Sequence, residues 1–90
     1  MSDAPAVVYL LRCADGTLYC GSTTDLERRL REHAAGGVRG ARYTRGRGPL
    51  TLAASWPVDD LPAALSLEAR VKRLPRAEKE ALVAGRRPLP

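Results

Sequence analysis

Four side chains that can bind or activate a phosphate group lie within the first 33 residues of this sequence. Tyr9 and Tyr19 belong to two short apolar stretches, and Arg29 and His33 follow them, four positions apart. Arginine presents a planar fork of donors that suits phosphate oxygens, and a phenol or an imidazole can transfer protons to or from a reacting group. Their types and spacing therefore indicate phosphate chemistry rather than packing alone.

The charge of the chain also indicates phosphate chemistry. The net charge is +5, the pI is about 9.9, and thirteen Arg stand against two Lys. A bias of composition towards Ala, Arg and Gly could produce this excess, but no acidic residue lies between Ala34 and Val58. We therefore expect a polyanionic partner, bound in a salt-sensitive way through the phosphate groups. The side chains predicted to form this surface are Arg39, Arg42, Arg45 and Arg47, with Tyr43 among them either stacking on a base or packing beneath the loop.

Length and cysteine content limit the class of protein. Ninety residues form one domain with a single core. Cys13 and Cys20 are too few and too close for a secreted disulfide framework, and there is no CxxC pair for zinc. No stretch has the length of a membrane span or the pattern of a signal peptide. The sequence predicts a cytoplasmic protein that has no contact with membranes.

The two tyrosines lie in a predicted β-hairpin, whose strands are residues 7–13 (VVYLLRC) and 17–22 (TLYCGS). A two-residue loop between them would place Tyr9 and Tyr19 on opposite faces of the sheet. A three-residue loop with Gly16 in the left-handed region would place both phenols on one face. A shared site requires the second arrangement.

The next element is a predicted helix that ends at residue 35. Thr24 and Glu27 match a capping box at its start, and Gly21 lets the backbone come close to this helix start. At 100° per residue, Arg29 and His33 lie on one edge of the apolar stripe, where the helix meets the sheet. The stripe consists of Leu26, Leu30 and Ala34, whereas Arg28, Arg31 and Glu32 are predicted to face water.

The second half of the chain predicts one strand and two helices. The strand is residues 50–56 (LTLAASW), and Asp59 or Asp60 caps a helix that tolerates Pro62 in its first turn. A third helix covers residues 76–84. The second helix is expected to bury Ala64, Leu67, Val71 and Leu74, with Glu68 beside this stripe.

Taken together, these elements predict an α+β domain in residues 7–84. Its three-stranded antiparallel sheet is flanked by helices in the order β-β-α-β-α-α. Residues 1–6 and 85–90 are expected to be flexible tails.

The spacing Tyr-x9-Tyr-x-Gly-x7-Arg-x3-His, with a helical glutamate 35 positions later, resembles the GIY-YIG nuclease domain. The first triplet here is Val-Val-Tyr, so the glycine and isoleucine of the motif are replaced, and the second is Tyr-Cys-Gly. The chain is most similar to small stand-alone members through YTRGRGPLTL at 43–52 and LEARVKRL at 67–74.

The resemblance implies a role for each residue of the set. Glu68 would hold one Mg²⁺ or Mn²⁺ ion, although an i,i+4 ion pair with Lys72 is the alternative for this carboxylate. Arg29 would bind the scissile phosphate. One phenol would act as general base and the other would position the reactants, and Tyr9 is favoured as the base without being decided. His33 would shuttle a proton or contact phosphate, and Lys72 and Tyr43 are at positions that the small members share.

The resemblance therefore implies a divalent-metal-dependent nuclease that hydrolyses phosphodiester bonds of DNA. Such an enzyme could be structure-specific in DNA repair or recombination and could rely on a protein partner that directs it to its substrate. The first alternative is a nucleic-acid-binding module of the same fold with little or no turnover. The second is a structural domain of a repair complex.

Overall fold

The computed structural model describes residues 5–35 and 49–90. The three strands form one antiparallel sheet in the order β2-β1-β3, and helices flank it, so the predicted α+β fold and its order of elements are confirmed. The elements are β1 (Ala6–Arg12), β2 (Leu18–Thr23), α1 (Leu26–Ala35), β3 (Thr51–Val58), α2 (Leu61–Lys72) and α3 (Arg76–Val83).

The β1–β2 hairpin has the loop that a shared site requires. Gly16 has a φ of 86°, and its N–H donates to the Cys13 carbonyl at 2.9 Å. The three loop residues 14–16 therefore set a register in which Tyr9 pairs with Gly21 and Leu11 pairs with Tyr19. Because side chains alternate across a strand, both phenols lie on one face of the sheet.

The opposite face carries the main hydrophobic core, which α2 and α3 cover. Cys20 belongs to this core, whereas Cys13 lies on the face of the tyrosines, and both cysteines are buried and free. The buried members of the core are Ala6, Val8, Leu10, Cys20, Ala64, Leu67, Val71 and Leu82.

The start of α1 differs from the prediction. Asp25, not Thr24, caps this helix, because its Oδ1 accepts the N–H of Arg28 at 3.1 Å and its carbonyl accepts the N–H of Arg29 at 3.0 Å. Thr23 holds the cap in place, since its Oγ1 accepts the N–H of Asp25 at 3.0 Å. The capping box predicted from Thr24 and Glu27 is therefore wrong by one residue.

The two C-terminal helices begin and end close to the predicted positions. Asp60 is the N-cap of α2, with its Oδ1 accepting the N–H of Ala63 at 2.8 Å, and a proline lies in the first turn. Gly85, with a φ of 74°, follows α3. Leu74, predicted to be buried, packs against the core while remaining partly exposed. Among the described helices the longest has 12 residues, and none of them is both long and apolar enough to cross a bilayer.

Strand β3 starts one residue later and ends two residues later than residues 50–56. Pro57 lies inside it, opposite Val7. β3 is an edge strand, where a missing N–H is tolerated. A bulge in β3 breaks its register between the partners of Leu10 and Leu11.

An ion pair fastens the hairpin to α3. The guanidinium of Arg12 contacts both carboxylate oxygens of Glu80, at 2.8 and 2.6 Å. Arg12 and Arg76 also donate to the carbonyl of Gly16, at 3.2 and 3.0 Å. The turn that sets the tyrosine register is thereby held against a helix from the other end of the chain.

Candidate active site

Tyr9 lies across the neighbouring strand, over Gly21. A Cβ atom at position 21 would come within 2.5 Å of the Tyr9 phenol oxygen and 2.6 Å of Cζ. The predicted need for glycine is thus explained by the ring of Tyr9, because the atoms nearest to the added Cβ belong to this ring and not to the helix start. Gly21 lets the phenol reach past β2 towards α1.

The Tyr9 phenol ends at His33. Its oxygen lies 3.0 Å from Nε2 of His33 in a buried hydrogen bond, and the two side chains are 1% and 2% exposed. The ring of Tyr19 packs edge-on against the same imidazole, with centroids 5.4 Å apart, and Tyr19 is only partly buried. The imidazole is therefore in contact with both tyrosines.

The buried stripe of α1 differs from the predicted one. Among residues 26–34 of the helix, His33 is buried, whereas Ala34 is exposed. The contact stripe follows Leu26, Leu30 and His33, at i, i+4 and i+7, because Tyr9 and Tyr19 offer the imidazole a polar and aromatic surface. The prediction that Ala34 is buried is wrong.

Arg29 lies beside the phenol and is held from two sides. It hydrogen-bonds Tyr9, and its Nη1 donates to Oε1 of Glu32 at 3.0 Å. Glu32 also pairs with Arg28 at 3.4 Å, and its side chain is 18% exposed. Glu32 was predicted to face water, and that prediction is wrong because two arginines of the same helix enclose its carboxylate. The i+3 spacing from Arg29 was the available signal.

Burial sets the protonation states of Tyr9 and His33. Desolvation raises the pKa of Tyr9 to about 12, an effect that the hydrogen bond from Arg29 opposes only in part. Desolvation lowers the pKa of His33, and the positive charge of Arg29 lowers it further. At neutral pH the phenol is therefore protonated and the imidazole is neutral. Since Arg29 can only donate, the phenol oxygen accepts from Arg29, and it shares a second hydrogen bond with Nε2.

Glu68 approaches the site from α2. Its Oε1 accepts a hydrogen bond from Ser22 at 2.5 Å, and its Oε2 lies 2.6 Å from Nζ of Lys72. The negative charge of Glu68 helps to raise the pKa of Tyr9, so the two side chains are electrostatic neighbours. Ser22 was not predicted as a site residue, because its contact with Glu68 joins positions 46 apart in sequence.

The ion pair with Lys72 is the alternative considered for Glu68, and it is present. The environment nevertheless differs from a solvated helix face, since the Glu68 side chain is 15% exposed while that of Lys72 is 50% exposed. A shielded carboxylate that contacts Ser22 of the sheet, and whose charge acts on Tyr9, is a more specific arrangement than a surface pair.

The chemistry of these donors fits a hard divalent cation. Mg²⁺ and Mn²⁺ prefer oxygen ligands, and Mg²⁺ often takes one or two carboxylates and retains several waters. Within residues 5–35 and 49–90 no group of three or more His, Cys, Asp or Glu side chains is placed to hold a metal. Glu68 would then be the carboxylate ligand of such an ion, with Lys72 competing for Oε2.

The predicted basic surface lies outside the described residues. This applies to Arg39, Arg42, Tyr43, Arg45 and Arg47, so their proposed contacts with nucleic acid stay predictions. Lys72, which was grouped with them, is described and contacts Glu68.

The chain matches one known domain family over most of its length. The family model of the GIY-YIG catalytic domain matches residues 5–81. The chain therefore belongs to the GIY-YIG family, whose members are nucleases, and this membership implies a nucleic acid substrate.

Within this family the chain is similar to UPF0213 proteins. It is 55% identical over 83 residues to one from Vibrio cholerae, which covers 91% of this chain and 80% of that protein. It is 52% identical over 80 residues to the UPF0213 protein YhbQ of Escherichia coli, covering 89% of this chain and 78% of YhbQ.

Two solved structures share the fold. The UPF0213 protein BH0048 from Bacillus halodurans is 48% identical with a TM-score of 0.57, over 89% of this chain and 83% of that one. The protein EF2693 from E. faecalis is 35% identical with a TM-score of 0.62, over 94% of this chain and 90% of the other.

Proposed function

We propose that this chain is a divalent-metal-dependent endonuclease that hydrolyses phosphodiester bonds of DNA. The observation that carries the proposal is the convergence of the Tyr9–His33 hydrogen bond, Arg29 and the shielded carboxylate of Glu68 on one region of the sheet. A module that only binds nucleic acid needs positive charges, but it does not need a shielded carboxylate beside two phenols.

Arg29 is the phosphate ligand of the proposed site. Its side chain is 27% exposed, so the guanidinium is held by Tyr9 and Glu32 while part of it remains open to a ligand. A guanidinium fixed in this way binds the non-bridging oxygens of a phosphate and stabilises the additional negative charge of the transition state.

Tyr19 is the phenol that we place next to the attacking water. The sequence favoured Tyr9 as general base, but Tyr9 is 1% exposed and its pKa is about 12. Tyr19 is more exposed and lies against His33. We assign to Tyr9 the task of holding His33 and Arg29 in place, and to Tyr19 the contact with the nucleophile.

Mg²⁺ or Mn²⁺ bound at Glu68 would stabilise charge on the phosphate and lower the pKa of a bound water. Ser22 orients the carboxylate of Glu68 through its hydroxyl. Lys72 neutralises that carboxylate, and its Nζ, 2.6 Å from Oε2, would compete with a divalent cation for this oxygen.

The proposed biological setting is cytoplasmic, with a branched, nicked or flapped DNA of repair or recombination as substrate and with a protein partner that directs the enzyme. The test is a panel of end-labelled branched, single-stranded and duplex DNA incubated with Mg²⁺, Mn²⁺ or EDTA. Cleavage that requires the divalent ion supports the proposal. Salt-sensitive binding of these DNAs with no cleavage of any of them would favour the binding module instead.

A further inference from the structure

A small groove lies between the edge strand β2 and helix α3, away from the cluster around His33. Thr17, Leu18, Arg76 and Lys79 line it, and its volume is about 190 Å³. We call it the edge groove. Two of its four lining side chains are basic, and none is acidic.

The positive charge of the edge groove is only partly compensated. Glu80, the carboxylate close to Arg76 at 3.8 Å, is already engaged by both terminal nitrogens of Arg12. Two arginines therefore share one carboxylate. Within residues 5–35 and 49–90 no ion pair involves Lys79, whereas Asp15, at the turn, accepts hydrogen bonds from the backbone and hydroxyl of Thr17. The groove keeps a net positive charge.

The edge groove and the candidate active site lie along the same strand. Burial raises the pKa of Cys20 to about 12, the negative charge of Glu68 adds to that rise, and the positive charges of Lys72 and Lys79 oppose it. Both lysines are therefore close to the middle of β2. Lys72 is paired with Glu68 beside Ser22, whereas Lys79 lines the groove with Thr17 and Leu18.

The distance between the two sites suits a strand of nucleic acid. Five residue steps separate Ser22 from Thr17, which is about 17 Å in an extended strand. Successive phosphates of one strand are at least about 3.4 Å apart, the rise along a DNA helix axis, so a strand of a few nucleotides spans this distance. β2 is an edge strand, and its outer backbone N–H groups face no neighbouring strand of this sheet.

We propose that the edge groove is a second contact surface for the nucleic acid substrate and binds phosphates of the strand as it leaves the candidate active site. This inference rests on the proposed function, because it takes Glu68 as the point where the strand is cut. It adds Lys79 and Arg76 to the contacts predicted from the sequence.

The test measures binding of a fluorescein-labelled 20-nucleotide single-stranded DNA, and of the duplex of the same sequence, in EDTA over a series of NaCl concentrations. Lys79→Ala is compared with Arg70→Ala. Arg70 is an exposed arginine of α2 that bonds Ser66, and at 100° per residue it lies on the side of α2 away from Glu68. Circular dichroism and thermal melting show whether each variant keeps the fold.

Lys79→Ala should weaken DNA binding several-fold and reduce the slope of log affinity against log salt by about 0.7 to 0.9, as expected for one lost phosphate contact. Arg70→Ala should change neither quantity. Equal behaviour of the two variants would overturn the proposal, as would a wild type that binds neither DNA. Oligoglutamate serves as a second probe, and a Lys79→Ala effect on it alone would assign the groove to an acidic protein segment and also overturn the proposal.

The same experiment separates the groove from the proposed function. Wild type that binds DNA through Lys79 but never cleaves it would contradict the nuclease and leave the groove intact. Cleavage that requires a divalent ion, with DNA binding unaffected by Lys79→Ala, would contradict the groove alone.

Discussion

The phenol oxygen of Tyr9 lies 3.0 Å from Nε2 of His33, and neither side chain is more than 2% exposed. This buried hydrogen bond joins β1 to α1. It fixes the imidazole against Tyr19 and brings Arg29 alongside the phenol. His33 therefore lies at the centre of the candidate active site.

The stability of the protein should fall as the pH drops below about 6.5, the ordinary pKa of histidine. Burial lowers the pKa of His33 in the folded state, so between that lowered value and 6.5 the unfolded chain binds more protons than the folded chain, and stability decreases towards acid. His33 is the one histidine of the sequence. Melting temperatures measured between pH 8 and 5.5 should show this decrease in wild type and a flatter profile in His33→Gln. Parallel profiles for the two proteins would contradict a buried neutral imidazole.

Gly21→Ala should displace the Tyr9 ring, because the added Cβ would come within 2.5 Å of the phenol oxygen. Overpacking of this kind typically costs about 1–3 kcal/mol of unfolding free energy. A double-mutant cycle of Gly21→Ala and Tyr9→Ala, with unfolding free energies measured by urea denaturation, isolates the contact between the two residues. Gly21→Ala should cost much less in the Tyr9→Ala background than in wild type. Equal costs in both backgrounds would show that the glycine is needed for another reason.

The two phenols should respond differently to removal of their hydroxyl groups. Tyr19→Phe should lower the single-turnover cleavage rate by about 10²-fold or more, the range expected for loss of proton-transfer catalysis, with little change in stability. Tyr9→Phe leaves Nε2 of the buried His33 without its hydrogen-bond partner, so it should cost about 1–3 kcal/mol of stability and reduce the rate less. A larger loss of rate in Tyr9→Phe than in Tyr19→Phe would indicate that Tyr9 is the general base.

Arg29→Ala should abolish detectable cleavage, while Arg28→Ala should cleave at nearly the wild-type rate. The two arginines are adjacent on α1 and both pair with Glu32. They differ in exposure, since the side chain of Arg28 is 63% exposed and that of Arg29 is 27% exposed, and Arg29 is the one that hydrogen-bonds Tyr9. Similar losses in the two variants would indicate a general effect of helix charge.

Local rules predicted the parts of this site that depend on local geometry. Helical phase predicted that Arg29 and His33 lie where α1 meets the sheet, and the structure confirms it. For the hairpin, the sequence left a two-residue and a three-residue loop open, and the structure has the three-residue turn with Gly16, which places both tyrosines on one face.

Contacts between distant parts of the chain could not be predicted in the same way. Ser22 meets Glu68 and Arg12 meets Glu80 only after α2 and α3 have packed on the sheet. His33 rather than Ala34 is buried for the same reason, because the hydrogen-bond partner of His33 is Tyr9 of β1. Periodicity indicates that a helix has an apolar side, but it does not indicate which polar group of the sheet packs against that helix.

We propose that Glu68 makes this fold a metal-dependent nuclease. The most direct test is cleavage of end-labelled branched DNA by Glu68→Gln in Mg²⁺ and Mn²⁺, with Glu27→Gln as its matched control. Glu27 also forms an i,i+4 ion pair, with Arg31 at 3.3 Å, but its side chain is 88% exposed. We predict that Glu27→Gln cleaves like wild type and that Glu68→Gln, while still folded and still binding DNA, does not cleave. Wild-type cleavage by folded Glu68→Gln would contradict the account.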